Sequence, residues 1–399
     1  MKRLRLDHLG LLAGLFLAAL ALRPQLVGVG PLIPQIQDDL DVSHAVAGLL
    51  GTIPVLCMGI FAPPGPHLAR LLGTRTSIAA CLGAIALFGT ARAVAPEAAL
   101  VILLTVGAGV GLGLAQTLMP IAVKERFAHR PAFATGIYAM GINVGSAISA
   151  AVAVPIAHVG NGWRTSLLVF SLGTVPLLGG WLWLTRRERP HRSAEARRVV
   201  GLPWRSALTW RLVLIFGMMS TTFYGLNSWL PDSFVERGWS ESRAGALLAV
   251  LNLCALLPTL VVTWLADRGG SRRLYLVGAG LVLVAGMLGF VLAPGAGLAW
   301  AALAGLSTGA AFPLVMTLPL DVAHHPAQVG AVAAMMLGVG YSISGVSPFV
   351  LGAVRDTTGS FTPVLWALVG TSVALLALCS ALSRERLKAG RIGELPAAP

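Results

Sequence analysis

Twelve runs of apolar residues, separated by short polar breaks, fill almost the whole of this 399-residue chain. A helix that crosses a lipid bilayer needs ~20 consecutive, mostly apolar residues, and each run is close to that length. We therefore expect an all-α membrane protein with twelve transmembrane helices. The first six are predicted at 9–33, 45–68, 76–95, 98–121, 132–157 and 165–185, and the second six at 209–230, 243–265, 274–293, 297–319, 328–353 and 361–382.

The longest polar stretch between runs, rich in arginine, lies at 186–208. It predicts a cytoplasmic linker between an N-terminal six-helix bundle at 1–185 and a C-terminal six-helix bundle at 209–385, with a cytoplasmic tail at 386–399. Charged residues make up only 11% of the chain, against about a quarter in soluble domains. The lipid bilayer is therefore the expected partner of both bundles.

The positive charges follow the predicted spans. With the N-terminus placed in the cytoplasm, 23 of the 29 Lys and Arg fall in cytoplasmic segments, five in the opposite loops, and Arg23 inside the first span. Cytoplasmic loops of membrane proteins carry such an excess of positive residues. We predict a multi-pass protein of the bacterial inner membrane with both termini cytoplasmic. The same distribution accounts for the net charge of +13 without a nucleic-acid partner.

The two sets of spans resemble each other in sequence. Four residues of the first set recur 197 positions later, and three others recur 195 positions later. The pairs are Pro34 with Pro231, Ser43 with Ser240, Ala47 with Ala244, Gly48 with Gly245, Pro131 with Pro326, Met140 with Met335, and Gly145 with Gly340. Parallel repeats are typical of transporters that hold a substrate between two halves near the bilayer midplane. We expect two six-helix pseudo-repeats and transport by alternating access.

A loop motif after the eighth predicted span resembles a known family. The residues are Leu265, Ala266, Asp267, Arg268, Gly270, Arg272 and Arg273, similar to the G-x-L-A-D-R-x-G-x-R motif of the major facilitator superfamily. The first-half copy keeps Gly65, Arg70, Gly73 and Arg75, with Ala69 in place of the aspartate. The resemblance implies the major facilitator fold and a cytoplasmic latch that involves Asp267, Arg268, Arg272, Gly65 and Arg70. In such a latch the aspartate would hold an arginine or a helix N-terminus.

The first span narrows the resemblance. Ala21-Leu22-Arg23-Pro24, followed by Val27-Gly28-Val29-Gly30-Pro31-Leu32, is similar to the LRP…VGPLL stretch of the cyanate and 2-nitroimidazole transporter family. This resemblance implies a transporter of a small anionic organic solute, either cyanate-like or a small carboxylate. The alternative, which the 10 tryptophans also suggest, is an exporter of small heteroaromatic drugs such as 2-nitroimidazoles.

Arg23 is the sharpest candidate for a substrate-binding residue. It lies 14 positions beyond the start of the first predicted span, where an arginine costs roughly 2.5–3.5 kcal/mol on the insertion scale. A charge at that depth normally faces a cavity or a partner, and a guanidinium fits a small planar anion. The other interpretation is a structural ion pair, or a side chain that reaches the interface beside Pro24.

Other polar or aromatic side chains inside the spans are candidates for lining a cavity. They are Gln25, Gln116, Tyr138, Asn143, Tyr224, Asn227, Asn252 and Tyr341. Each of them could instead make an interhelical hydrogen bond, worth about 0.6 kcal/mol on average. Family resemblance places the fifth span, with Tyr138 and Asn143, and the seventh span, with Tyr224 and Asn227, around the central cavity.

The remaining expectations concern chemistry and partners. The Asp and Glu residues fall near span ends or in loops, so a membrane-embedded carboxylate relay is not expected, and coupling to a proton stays open beside passive transport. The absence of HExxH and GxSxG motifs argues against an enzyme, and the two-half repeat argues against a channel. The four cysteines form no CxxC pair. We expect a monomer that binds a small-molecule substrate and needs neither a cofactor nor a metal.

Overall fold

The computed structural model of the chain describes residues 6–127, 131–186, 202–267, 272–322 and 326–382. Within these ranges every regular element is helical. The first half of the chain forms α1 (Leu6–Ala21), α2 (Pro24–Val27), α3 (Ile33–Leu40), α4 (His44–Ile60), α5 (Gly65–Leu72), α6 (Thr74–Ala93), α7 (Ala98–Arg126), α8 (Pro131–Val159) and α9 (Trp163–Leu184). The second half forms α10 (Ala207–Val235), α11 (Glu241–Cys254), α12 (Leu256–Asp267), α13 (Arg272–Leu292), α14 (Gly297–Val322), α15 (Pro326–Gly345), α16 (Ser347–Thr358) and α17 (Thr362–Ser380).

These helices confirm the predicted all-α membrane fold. In the described ranges, 10 helical segments are long and apolar enough to cross a membrane. The two further spans are α4, which is apolar but has only 17 residues, and α10, which has 29 residues and carries several hydroxyl and amide side chains. Spans one, eight and eleven are interrupted and consist of α1–α3, α11–α12 and α15–α16. Most of the predicted linker and the whole predicted tail lie outside the described residues.

The interruption of the first span has a local cause. α1 ends at Ala21, and Pro24 begins the four-residue α2. A 3-10 turn at Gly30–Leu32, with Pro31 inside it, then leads into α3. Proline lacks the backbone N–H that a helix interior needs and clashes with the preceding turn, so two prolines within eight positions break the ladder of hydrogen bonds. Arg23 therefore lies at a break in the helix and not in a regular helix interior.

The two halves meet along three seams. α4 packs against α15 and α16, α8 packs against α11 and α12, and the Gly30–Leu32 turn packs against α10. At the third seam the backbones almost touch, because a Cβ atom on Gly30 would collide with the carbonyl oxygen of Asn227. Gly48 in α4 makes a similar approach, since a Cβ atom there would lie 2.6 Å from the carbonyl oxygen of Pro348. Only glycine permits these two approaches.

Candidate functional site

A cavity of about 70 Å³ lies between the two halves. Its polar lining consists of one charged side chain, one amide and five hydroxyl groups: Arg23, Asn143, Ser220, Tyr224, Thr259, Thr308 and Tyr341. The rest of the wall is apolar or aromatic and includes Phe223 and Phe312. An apolar cavity with a few converging polar groups is the usual form of a small-molecule site.

Arg23 supplies the single charge of this lining. Its side chain is only 5% exposed, and its Nη1 donates a long hydrogen bond of 3.4 Å to the Tyr224 hydroxyl. Its Nε is buried and has no hydrogen-bond partner. Within the described part of the chain, Arg23 forms no ion pair with a carboxylate. The guanidinium thus keeps donors available for an anion, and leaving them unpaired in a buried place is costly.

Aromatic side chains line the cavity beside Arg23. The rings of Tyr224 and Tyr341 lie 6.3 Å apart, Tyr341 packs edge-on against Phe216 at 4.8 Å, and Phe223 packs edge-on against Tyr224 at 5.3 Å. Such pairs hold aromatic side chains in fixed orientations. The cavity therefore presents the guanidinium of Arg23 beside aromatic side chains of fixed orientation.

The structure brings together four of the nine candidate substrate-binding residues. Arg23, Asn143, Tyr224 and Tyr341 all line the cavity. Gln116 lies half-buried on α7, and Tyr138 lies half-buried on α8, one turn before Ile142. Neither of these two belongs to the cavity lining.

Two asparagines among the nine candidates instead bond to the backbone of their own helices. Asn227 donates from its Nδ2 to the carbonyl of Phe223 at 2.7 Å, and Asn252 donates to the carbonyl of Leu248 at 2.8 Å. In both, the side-chain oxygen is buried without a partner. Neither asparagine lines the cavity.

Gln25 lies behind the cavity, fully buried inside the first half. Its Nε2 donates to the hydroxyl of Ser171 on α9 at 2.8 Å, and its Oε1 accepts from Nη2 of Arg92 at 2.8 Å. Arg92 is one of the five positive charges that the sequence placed in the loops opposite the cytoplasm, but the structure buries it in the last turn of α6, at 1% exposure. An arginine near the end of a span gives no sequence signal that separates a buried side chain from an interfacial one.

Sequence reasoning also missed three hydroxyl side chains of the cavity. Ser220 lies on α10, Thr259 on α12 and Thr308 on α14. Serine and threonine are common in helices that cross membranes, where they usually bond to the preceding turn. One of the three, Ser220, could have been found from the internal repeat, because the offset of 197 places it at the position that Arg23 has in the first half.

The structure describes only some of the residues of the predicted cytoplasmic latch. Gly65 begins α5, and Arg70 on the same helix contacts Nδ1 of His67 through its Nη2 at 3.1 Å. Asp267 ends α12, Arg272 begins α13, and Arg268 lies outside the described residues. The latch therefore stays a prediction.

The bundle is held together at the end that contains His44, which we call the His44 end. The backbone N–H groups of His44 and Ala45, at the start of α4, donate to the carboxylate of Asp356 on α16 at 3.0 and 2.8 Å. The His44 ring adds a contact of 2.8 Å from Nδ1 to Asp356 and one of 3.5 Å from Nε2 to Asp232. A carboxylate of the second half thus caps a helix of the first half.

The chain matches the Major Facilitator Superfamily over residues 11–345. It is 32% identical to the cyanate transport protein CynX of Escherichia coli K12 over 87% of this chain and 90% of that protein. It is 30% identical to the 2-nitroimidazole transporter of the same organism over 95% of this chain and 97% of that protein. The crystal structure of a D-xylose-proton symporter superposes with a TM-score of 0.75, at 17% identity, over 94% of this chain and 97% of that one, which shows a shared fold. The resemblance inferred from the loop and first-span motifs is confirmed: the chain is a transporter of the major facilitator superfamily.

Proposed function

We propose that this transporter carries a small monoanion, cyanate-like or a small carboxylate, and that Arg23 binds its charge. The observation that carries this assignment is the buried guanidinium, which faces the cavity without a carboxylate among the described residues. A guanidinium presents a planar fork of donors that matches a planar anion. An anion in the cavity would supply the missing charge and the missing acceptors at once.

The dimensions of the cavity support a small solute. A cavity of about 70 Å³, walled mainly by apolar and aromatic side chains, suits a solute of few atoms. The hydroxyl groups of Thr259 and Thr308 donate to backbone carbonyls, whereas the hydroxyl of Ser220 can donate a hydrogen bond to a small anion. The name of the relative CynX, a cyanate transport protein, agrees with this class.

Transport would follow alternating access across the inner membrane. With both termini in the cytoplasm, the His44 end faces the outside, so the contacts of Asp356 and Asp232 with His44 close the outer side. Loading from that side then requires these contacts to break. We further propose that the protein works as a monomer without a cofactor.

A second candidate function is export of small heteroaromatic compounds. The aromatic wall formed by Phe223, Phe312, Tyr224 and Tyr341 favours it, as does the relative named as a 2-nitroimidazole transporter. In that case Arg23 would donate to a neutral polar substituent, and the rings would supply most of the binding energy. The two functions therefore differ in how much they need the guanidinium.

Ligand-induced stabilisation of the purified protein separates them, because a ligand that binds the folded state raises the melting temperature. Potassium cyanate, sodium acetate and 2-nitroimidazole are titrated against the wild type, Arg23→Ala, Arg23→Lys and a control, Arg164→Ala. Arg164 pairs with Asp39 at 3.1 Å, away from the cavity.

We expect an anion to stabilise the wild type and Arg164→Ala, and Arg23→Ala to weaken its binding by about tenfold or more, since charged hydrogen bonds are worth ~1.5–3 kcal/mol. Stabilisation by 2-nitroimidazole alone, unchanged in Arg23→Ala, supports the exporter. Equal anion binding by the wild type and Arg23→Ala overturns the role given to Arg23.

A further inference from the structure

A second arginine of the first half is buried without a carboxylate among the described residues. Arg92, near the end of α6, is less exposed than Arg23, and its Nε is likewise buried without a partner. A buried guanidinium is costly and is tolerated where its hydrogen bonds serve a particular arrangement. Arg92 does not line the cavity, so binding of the transported anion does not explain it.

The hydrogen bonds of Arg92 are directed at the break in the first span. Its Nη2 donates both to the backbone carbonyl of Gln25 at 2.9 Å and to Oε1 of the same residue at 2.8 Å. Its Nη1 donates to the hydroxyl of Thr105 on α7 at 3.3 Å. Carbonyl groups at an interrupted helix need a donor from outside the helix. Arg92 supplies that donor at Gln25, two residues after Arg23.

The surroundings of Gln25 are shaped to receive its side chain. A Cβ atom on Gly89, one turn before Arg92 in α6, would lie 3.0 Å from the Gln25 amide and 2.6 Å from Oγ of Ser171. Gly89 thus leaves the space that the amide occupies. Ser171 accepts from Nε2 of Gln25, so both ends of the amide are bonded. A buried amide satisfied at both ends has one allowed orientation.

We propose that Arg92 is a positioning residue, which fixes the break of the first span from behind so that the guanidinium of Arg23 faces the cavity. This role deepens the anion-binding function proposed above and rests on it. Arg23 lies between the end of α1 and Pro24, so the fixed path of the backbone determines where its long side chain starts. Removal of Arg92 frees the Gln25 carbonyl and amide, and α2 loses its attachment to α6.

The test compares Arg92→Met, Arg92→Lys and a control, Arg237→Met. Arg237 is a half-buried arginine of the second half that also donates to a backbone carbonyl, that of Phe290, at 2.6 Å. Two measurements are made on the full-length protein. One is hydrogen–deuterium exchange of peptides that cover residues 19–33, and the other is the KM and kcat for uptake of labelled cyanate into proteoliposomes.

We expect Arg92→Met to accelerate exchange in 19–33 by about tenfold, as local opening becomes ~1.4 kcal/mol easier. The same variant should raise the KM for cyanate about tenfold with a smaller change in kcat, because an anchor that binds the ground state and the transition state alike acts mainly on KM. Arg92→Lys should recover part of both losses, because an ammonium group can still donate to Gln25. Arg237→Met should leave both measurements at their wild-type values.

Two results would overturn the role of Arg92. Unchanged exchange in 19–33 in a folded Arg92→Met protein shows that the break holds without it. Faster exchange with an unchanged KM shows that Arg92 is structural and does not position Arg23. If the wild type takes up neither labelled cyanate nor labelled acetate, the anion function fails, while the exchange measurement still decides whether Arg92 fixes the break. If Arg92→Met does not fold, Ser171→Ala, which removes only the far bond of Gln25, replaces it.

Discussion

The first spans of the two halves derive from related sequence, yet they differ in every feature that concerns a charged ligand. In the first half the span is broken into α1, α2 and α3 and carries Arg23 at the break. In the second half the span is the uninterrupted α10, and the repeat offset of 197 places Ser220 where the first half has Arg23. Both side chains face the same cavity.

The polar links behind these spans show the same difference. In the first half, Gln25 bonds to Ser171 of the sixth span at 2.8 Å and to the charged Arg92. In the second half, Thr222, the repeat counterpart of Gln25, shares a hydrogen bond of 2.9 Å with Thr371 of the twelfth span. One half thus uses a buried cation to hold a broken span, and the other uses two hydroxyl groups to fasten a continuous one. Among the described residues, only the broken span has a charged support, which agrees with the asymmetric anion site proposed above.

The largest expected effect comes from removal of the amide in the first half. Gln25→Leu removes the amide bonds to Arg92 and Ser171, while the backbone carbonyl of residue 25 still accepts from Arg92. The bond to the guanidinium is worth about 1.5–3 kcal/mol and the bond to Ser171 about 1 kcal/mol. Thermal and denaturant unfolding in detergent measure the loss. If Gln25→Leu lowers the free energy of unfolding no more than Thr222→Val does, the charged link of the first half stabilises the protein no more than the hydroxyl link of the second half.

The contact between the two first spans should come next. Gly30 and Asn227 are repeat counterparts, and a methyl group on Gly30 would collide with the Asn227 carbonyl. We expect Gly30→Ala to destabilise the protein by about 1–3 kcal/mol, the usual cost of overpacking. Gly278→Ala on α13, where a Cβ meets nothing within 4 Å, is the control and should be close to neutral. A neutral Gly30→Ala would mean that the halves do not approach this closely.

The N-termini of α4 and α11 are also repeat counterparts, and their contacts can be compared in the same way. Asp356 caps α4 through two backbone N–H groups, whereas Glu241 at the start of α11 accepts from Nε2 of Gln35 and meets the exposed His158 at 3.4 Å, without capping a described helix of the other half. Asp356→Ala should weaken closure by about 1 kcal/mol, the typical worth of a helix cap. Glu241→Ala should have a smaller effect.

Closure at this end can be measured by maleimide labelling of a cysteine introduced as Ser228→Cys. Ser228 is buried at the seam, where a Cβ atom on Gly51 would lie 2.6 Å from its Oγ. Faster labelling in the Asp356→Ala background, and little change in the Glu241→Ala background, is the expected pattern. Equal rates in both backgrounds would contradict the unequal roles of the two helix starts.

The smallest effect is expected for the second-half link. Thr222→Val, Thr371→Val and the double variant form a cycle whose coupling energy should be about 0.6 kcal/mol, as for average hydrogen bonds between membrane helices. Cyanate binding should not change in any of the three. A coupling energy above about 2 kcal/mol would mean that the Thr222–Thr371 link stabilises the second half as strongly as the Gln25 link stabilises the first half.

The transmembrane spans and the importance of Arg23 could be predicted from the sequence alone. The apolar runs predict the spans because their lengths match the bilayer, and Arg23 stands out because a mid-membrane charge is expensive. Gln25 was assigned to the cavity with it, but the break at Pro24 turns that side chain to the opposite face. Arg92, Thr259 and Thr308 escaped because nothing in one sequence tells which way a polar residue on a tilted helix points.

The guanidinium of Arg23, which has no carboxylate partner among the described residues, also has an electrical consequence if the proposed function holds. An empty carrier that reorients takes a fixed positive charge with it, whereas a carrier loaded with a monoanion moves a neutral pair. One elementary charge that crosses the full membrane potential exchanges about 2.3 kcal/mol per 100 mV. The membrane voltage would therefore act on the return of the empty carrier and leave the loaded step almost untouched, so that voltage governs how fast the binding site is presented again to the next anion.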